Sequence, residues 1–379
     1  MLRLVRLITC CAVATLGSLV WADETPVPPP IPGKAAPRAF ADQVNDLDQG
    51  QLQEAFRLLT RDYIDRDRLD PLEINRAALQ GLLTRLEFGA MLLNEEERAA
   101  RNSPFKFFSE AVNETTGYVR FGRFNENGVN RLDQAISDFG QDENVETLII
   151  DLRSPQSQAA FSIAAQILSR FRPPNELLFK IRRPDQEQPT LFLSQPTDSS
   201  WFGNLILLVD DETGNVGEII AAVLKRENRC LIIGTKTPGL TVEYRDVPIG
   251  ESQVLRYAVA EVVLEDDSSL FQVGIEPDIL TPVPRVTKRA LFRRTDGGET
   301  LASHLYLRER PRRNEAALVA GTDPELDYYI LRSADKPTPW DSPPPQDRAL
   351  LQAVDLLNAT EFLDGEPAEA RTAGGTPGR

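Results

Sequence analysis

LILLVDDETGNVGEIIAAVLKRENRCLIIGTKTPGLTV, residues 205–242, decides the fold. An apolar run at Asn204–Val209 stops at a tight turn, Val216–Arg226 places apolar residues at helical spacing, and Cys230–Ile233 is apolar again. The order is strand, turn, helix, strand, loop. The same alternation extends outward. Gly117–Phe124 (GYVRFGRF) reads as a half-buried strand and Val129–Phe139 as a helix. Val145–Leu152 is an apolar strand, Ala159–Phe171 a helix and Val254–Leu264 a further strand. Continuous apolar strands separated by helices predict an α/β protein with helices on a mostly parallel sheet.

Around this core, 117–284, the flanks differ in composition. Residues 1–22 read as a cleaved export signal: Arg3 and Arg6 precede the apolar run Leu7–Val20, which is short for a membrane span, the alternative reading. Cys10 and Cys11 lie too early for a lipid-attachment site. Residues 23–42 are a proline-rich linker, and 43–100 a small helical element with Leu52, Phe56, Leu59 and Tyr63 on one face. Pro71 fits a first helical turn. Residues 285–362 form an extension in which Asp347 caps a closing helix, and 363–379 a Gly/Pro/Ala-rich tail read as disordered.

The formal charge is −15, and −17 once the two arginines of the signal are removed. That surface argues against nucleic acid and anionic lipid as partners. Locally the sign reverses: Arg285–Arg313 holds nine basic and three acidic residues, read as a solvated face packed on acidic parts of the chain or as an interaction patch. His304 is the single histidine, so no His/Cys cluster suits a transition metal and no cofactor is expected. Cys230, alone after cleavage, reads as a buried thiol rather than a reactive one.

Five segments together resemble the carboxyl-terminal processing (tail-specific) protease family: GYVRFGRFNEN from Gly117, IIDLR at 149–153, LLVDDETGNVGEIIAAVLK, IIGTKTPGLT, and GIEPDI at 274–279, which fits the family's GIxPDI. The likeness is good over Gly117–Ile279 and weak over Gln51–Glu96. It implies a serine-type peptidase fold with a ClpP/crotonase-like core. In that family a serine opening a Ser-Ala-Ser-Glu run is deprotonated by a lysine within T-x-G-K-G. Anchoring on Glu218 puts Asn215 at the nucleophile position. Anchoring on Thr237 and Gly239 puts Leu240 at the base position, and an acidic position of some members falls on Arg226. Ser157 and Gln158 stand where the family's oxyanion turn has glycines. Glu97–Thr116, 20 residues, is too short for the PDZ module that members carry there.

The resemblance thus implies a peptidase body without its chemistry: a binding or scaffolding protein for a polypeptide segment, or a subunit assembling with an active paralogue, with homo-oligomers possible and no membrane insertion after signal cleavage. The alternative is an active endopeptidase with a displaced nucleophile, for which Thr213 and Lys236 are the nearest pair. Arg153 at a strand end, Ser157 and Gly214 are the candidate ligand contacts; for Arg153 a structural ion pair is the competing reading. Ser154 and Ser157 read otherwise as loop-capping hydroxyls, Glu218 as a structural cap and His304 as a packing residue.

Overall fold

The computed structural model describes residues 43–94, 97, 104–141, 144–155, 160–305, 315, 319, 321, 323, 325–334, 336 and 345–364. The expected signal, the linker and the tail past 364 lie outside the described residues, as do Ser157 and Gln158. The chain divides into two compact units, one ending at Leu79 and one starting at Gln80.

In the first unit, α1 (Gln49–Asp62) starts at a reciprocal cap: Asp48 accepts from the Gln51 amide and the Gln51 side chain accepts from the Asp48 amide. Helix α2 (Pro71–Leu86), whose residues from Gln80 on belong to the second unit, opens on Pro71, where a missing N–H costs nothing, and Asp70 accepts from the Glu73 amide at 2.8 Å. No residue of either helix is buried.

The second unit holds two sheets. Its strands are β1 (Ala90–Leu93), β2 (Phe108–Ala111), β3 (Thr116–Arg120), β4 (Thr147–Asp151), β5 (Leu177–Arg182), β6 (Thr190–Leu193), β7 (Asn204–Val209), β8 (Leu231–Gly234), β9 (Val242–Ile249), β10 (Gln253–Val263) and β11 (Ile279–Leu280). The larger sheet runs β11-β8-β7-β4-β3-β2, parallel throughout except for the β2 edge. Its strands alternate between two cores, as a parallel sheet covered on both faces must. Val119, Leu148, Ile150, Leu207 and Val209 pack with α3 (Glu126–Gly140), α4 (Phe161–Ser169) and α5 (Val216–Arg226). Tyr118, Ile149, Ile206, Leu208 and Ile233 pack with residues of α7 (Ala302–Leu305) and α9 (Arg348–Asp364). The second sheet is antiparallel, in the order β1-β10-β5-β6 with β9 also on β10.

Several expected boundaries move. The strand expected over Gly117–Phe124 ends at Arg120, because Gly122 lies so close to the preceding segment that a Cβ there would sit 2.3 Å from the Phe105 carbonyl oxygen. Asn125 then caps α3, accepting from the Gly128 amide at 2.9 Å. The helical reading of 43–100 is corrected at Ala90–Leu93, which pairs with β10. The extension expected after 284 opens with α6 (Arg285–Asp296) and includes α8 (Leu326–Ser333) ahead of the closing helix. On α6, Arg285 pairs with Asp211 at 2.7 Å and Arg289 with Glu212, so this part of the basic run faces acidic residues of its own chain.

Cys230 is a free thiol, and burial together with the Asp278 charge pushes it up to about 12. It is therefore protonated and unreactive at neutral pH. His304 is buried and neither ring nitrogen has a hydrogen-bond partner among the described residues. Burial lowers its pKa below the ordinary 6.5, against the nearby Glu299 carboxylate. A lowered folded-state pKa favours the neutral ring, so the stability it supports is complete above pH 6.5 and is lost as the pH falls through the folded value. The melting temperature of the chain, relative to that of His304→Leu, is expected to fall as the pH drops from 7 to 5. Parallel curves would contradict this.

Candidate functional site

The turn between β7 and α5 carries the position of interest. Asn215 has φ 49° and ψ −115°, a conformation that a non-glycine residue holds only when its surroundings dictate it. Those surroundings are visible. Thr213, fully buried, accepts from the Asp210 amide at 2.9 Å and donates to the Leu152 carbonyl at 3.1 Å, locking the turn to the end of β4. A Cβ on Gly217 would lie 3.1 Å from Thr213 Cγ2. The buried Asn215 side chain donates Nδ2 to the Val242 carbonyl at 3.0 Å, while its Oδ1 has no partner among the described residues. Leu240 packs over the turn: a Cβ on Gly214 would meet Leu240 Cδ1 at 3.4 Å and its Cβ at 3.6 Å.

Glu218 holds the second loop against this turn. Its buried carboxylate accepts from Thr237 Oγ1 at 2.5 Å, the Gly239 amide at 2.6 Å and the Leu240 amide at 2.6 Å. Thr237 Oγ1 in turn accepts from the Ile275 amide at 2.9 Å, which brings in the GIEPDI segment. Gly239 sits at φ +79°, and a Cβ there would lie 2.8 Å from the backbone of Leu270, Gln272 and Gly274. Burial lifts the Glu218 carboxyl above its ordinary range, and the donated hydrogen bonds only partly offset that. The structure thus gives Glu218 a role wider than the helix cap expected from sequence: it clamps the loop that presents Leu240.

The other candidates are placed as follows. Lys236 is exposed and pairs with Glu276 at 2.8 Å, while the Thr213 hydroxyl is committed to the Asp210 amide and the Leu152 carbonyl. No hydrogen bond joins the two. Arg153 forms the structural ion pair that competed with the ligand reading: it is buried between Asp151 and Asp347, donating to both, with Nη2 at 2.5 Å and 2.7 Å from the respective carboxylates. Tyr118 adds a hydrogen bond to Asp151 at 2.7 Å. Gly214 lies beneath Leu240, which covers it from any ligand on that side. Ser154 is buried. Arg226, at the family's acidic position, pairs with Glu265 at 3.2 Å.

One residue was absent from the sequence reading. Lys288 on α6 is fully buried; it donates to the Arg153 carbonyl at 2.8 Å and forms ion pairs with Asp210 and, at 2.8 Å, Glu212. Arg120 is likewise buried, paired with Asp296 at 2.5 Å with its guanidinium 4.3 Å from the Phe292 ring centroid. These cations tie the carboxyl ends of β3, β4 and β7 to α6 and to the start of α9.

Residues 115–281 match peptidase family S41. The chain carries an S41 peptidase domain. Relatives of that domain include the carboxy-terminal-processing protease of Bartonella bacilliformis, 25% identical over 218 residues, which are 56% of this chain and 50% of the relative. The carboxyl-terminal-processing protease of Picosynechococcus is 25% identical over 189 residues, 48% of this chain and 43% of the relative. The chain therefore spans about half the length of the curated relatives it matches. Among solved structures, the photosystem II D1 C-terminal processing protease aligns with a TM-score of 0.39 at 21% identity, covering 47% of this chain and 48% of that one. A peptidase from Parabacteroides merdae aligns with a TM-score of 0.47 at 16% identity, covering 64% and 85%. The S41 match contains the Asn215 turn, the Glu218 clamp and the Leu240 loop, and closes just after GIEPDI.

Proposed function

We propose that this chain is an exported S41-domain protein that is catalytically silent and works by holding a polypeptide segment or an active protease of its own family. The observation that carries the reading is the pair Asn215 and Leu240. A carboxamide nitrogen shares its lone pair with the carbonyl and does not attack a peptide carbonyl; an aliphatic side chain accepts no proton. Asn215 sits on the turn before α5, with its side chain bonded to the Val242 carbonyl, and Leu240 on the loop that Glu218 clamps, so both positions are held in place by the surrounding structure. The interval between Leu93 and Phe108 leaves no room for a PDZ module, in keeping with a protein that does not select tails for cleavage.

Export is supported by Arg3, Arg6 and the apolar Leu7–Val20 run, and no helix among the described residues is long and apolar enough to cross a membrane. The destination is the periplasm or the exterior of a bacterial cell envelope. N-terminal sequencing of the exported protein is expected to begin near Asp23; a retained leader or an acylated cysteine would contradict this.

The functional reading is tested with reduced, carboxamidomethylated lysozyme, an unfolded basic polypeptide suited to an acidic surface. Co-elution in gel filtration with the probe's mass intact is the expected result. Cleaved probe would overturn the silent-centre reading, and an absence of co-elution would overturn the polypeptide-holding one. The double substitution Asn215→Ser with Leu240→Lys is expected to restore trace cleavage at most, because Ser157 and Gln158 replace the glycines of the family's oxyanion turn.

A further inference from the structure

His304 is 2% exposed, and neither Nδ1 nor Nε2 has a hydrogen-bond partner among the described residues. A buried polar group in that state is unfavourable, and its presence calls for a reason. Leu301 and Leu305 flank it in sequence. They pack in one apolar cluster with Leu350 and Val354 of α9 and with Ile149 and Ile206 of the sheet. Two long hydrogen bonds join α7 to the start of α9: the Asp347 amide donates to the His304 carbonyl at 3.2 Å and Gln346 Nε2 to the Leu305 carbonyl at 3.4 Å. The start of α9 has a second anchor that α7 lacks, the Asp347 carboxylate on Arg153.

Burial is the largest influence on the ring and disfavours its charged form. Charged groups act on it from three segments. Glu299, ahead of α7, has a carboxylate oxygen 3.9 Å from Nε2, Arg294 stands on α6, and Asp347 precedes α9. The two acids favour a protonated ring and Arg294 opposes it. Neither acid is free to compensate. The Glu299 side chain is 47% exposed, so water screens it, and Asp347 already accepts from Arg153 Nη1 at 3.0 Å and Nη2 at 2.7 Å. On β2, Glu110 accepts from the Leu301 amide at 3.3 Å, at the entry to α7.

We propose that His304 is an acid-operated latch, and that α7 is the flap it releases. Neutral, the ring packs among its apolar neighbours and the Asp347 amide stays on the His304 carbonyl. Protonated, it carries a charge and two N–H donors in a pocket with no acceptor placed for them. Water supplies those acceptors only when α7 lifts from α9. The motion is local for two reasons. Arg153 keeps the start of α9 in place, and the core on the other face of the sheet contains no residue of α7 or α9. Acid therefore uncovers the apolar cluster beneath α7 while the rest of the second unit stays folded. This is separate from the catalytic and polypeptide-holding readings and depends on neither.

The test is amide hydrogen exchange of the full chain at pH 7 and pH 5, each corrected for the intrinsic exchange rate at that pH. In the opened flap the ring regains its ordinary 6.5, so each pH unit below that value favours opening by up to about tenfold. Protection of the His304 and Asp347 amides is expected to fall by about tenfold or more between pH 7 and pH 5. Protection of Leu351 in α9 and Leu207 in β7 is expected to hold. In His304→Leu the fall at Asp347 is expected to vanish. If that substitution unfolds the chain, the comparison among amides of the unaltered protein decides alone. An equal fall at Leu351 and Leu207 would mean global opening and would overturn the latch, as would unchanged protection at His304 and Asp347. A fall at Asp347 that persists in His304→Leu would assign the response to another group and overturn it as well.

Discussion

Arg153→Ala is expected to remove about 3–5 kcal/mol of folding stability, a large share of the roughly 5–15 kcal/mol that a domain has. The substitution leaves two buried carboxylates, Asp151 and Asp347, facing each other without the cation that both now contact. It also removes the link between the end of β4 and the start of α9, where Asp347 additionally accepts from the Leu350 amide at 3.2 Å. The pH dependence supplies a signature. Burial pushes the Asp151 carboxyl up, but the Arg153 charge and its hydrogen bonds outweigh burial and hold it below the ordinary 3.8. A lowered folded-state value means that this stabilisation is present above pH 3.8 and is lost as the pH falls through the folded value. Urea melts at pH 7 give the size of the effect; a loss under about 1 kcal/mol would mean that the ion pair is replaced by water.

Glu218→Ala is the second large effect, expected at roughly 3 kcal/mol. Three buried donors, Thr237 Oγ1 and the amides of Gly239 and Leu240, lose their acceptor together, and each orphaned donor costs about 1–3 kcal/mol before the relief of removing a buried charge. The loop that presents Leu240 is expected to loosen first, so amide exchange at Gly239 and Leu240 should accelerate more than exchange in β7 or β8. The sign with pH is opposite to that of Asp151. The Glu218 carboxyl is raised by burial, so its contribution is complete below its ordinary 4.5 and declines as the pH rises through the folded value. Unchanged exchange at Gly239 and Leu240 in the variant would show that the loop is held by other contacts, such as the tight packing of Gly239 on Gly274.

Much of the parallel sheet was legible because its strands are apolar on both faces and its helices repeat at 3.6 residues. Leu205–Val209, Val216–Arg226 and Leu231–Ile233 carry that pattern without interruption. Of the antiparallel sheet only β10 was legible, as the strand expected at Val254–Leu264. Val242–Ile249 and Thr190–Leu193 are mixed in polarity, and β10 is what makes strands of Ala90–Leu93 and Val242–Ile249. The positions Asn215 and Leu240 could be named from the spacing to Glu218, Thr237 and Gly239. The clamp itself could not, because the partners of Glu218 lie 19 to 22 residues away and leave no local pattern. Lys288 is harder still. It stands among arginines in a basic run that reads as a solvated face, yet among the described residues of that run it is the fully buried cation, drawn in by Asp210 and Glu212. A periodicity argument places the helix but does not tell which of its cations turns inward.

The proposal that the centre is silent is tested most directly by peptide-bond hydrolysis: mass spectra of reduced, carboxamidomethylated lysozyme after prolonged incubation with the purified chain. The account predicts that the probe keeps its full mass, with no fragments above those in a protein-free control. Fragments that form with the unaltered chain and vanish in Thr213→Ala or Lys236→Ala would contradict it, since a hydroxyl and an amine outside the Asn215–Leu240 pair would then be carrying out the reaction.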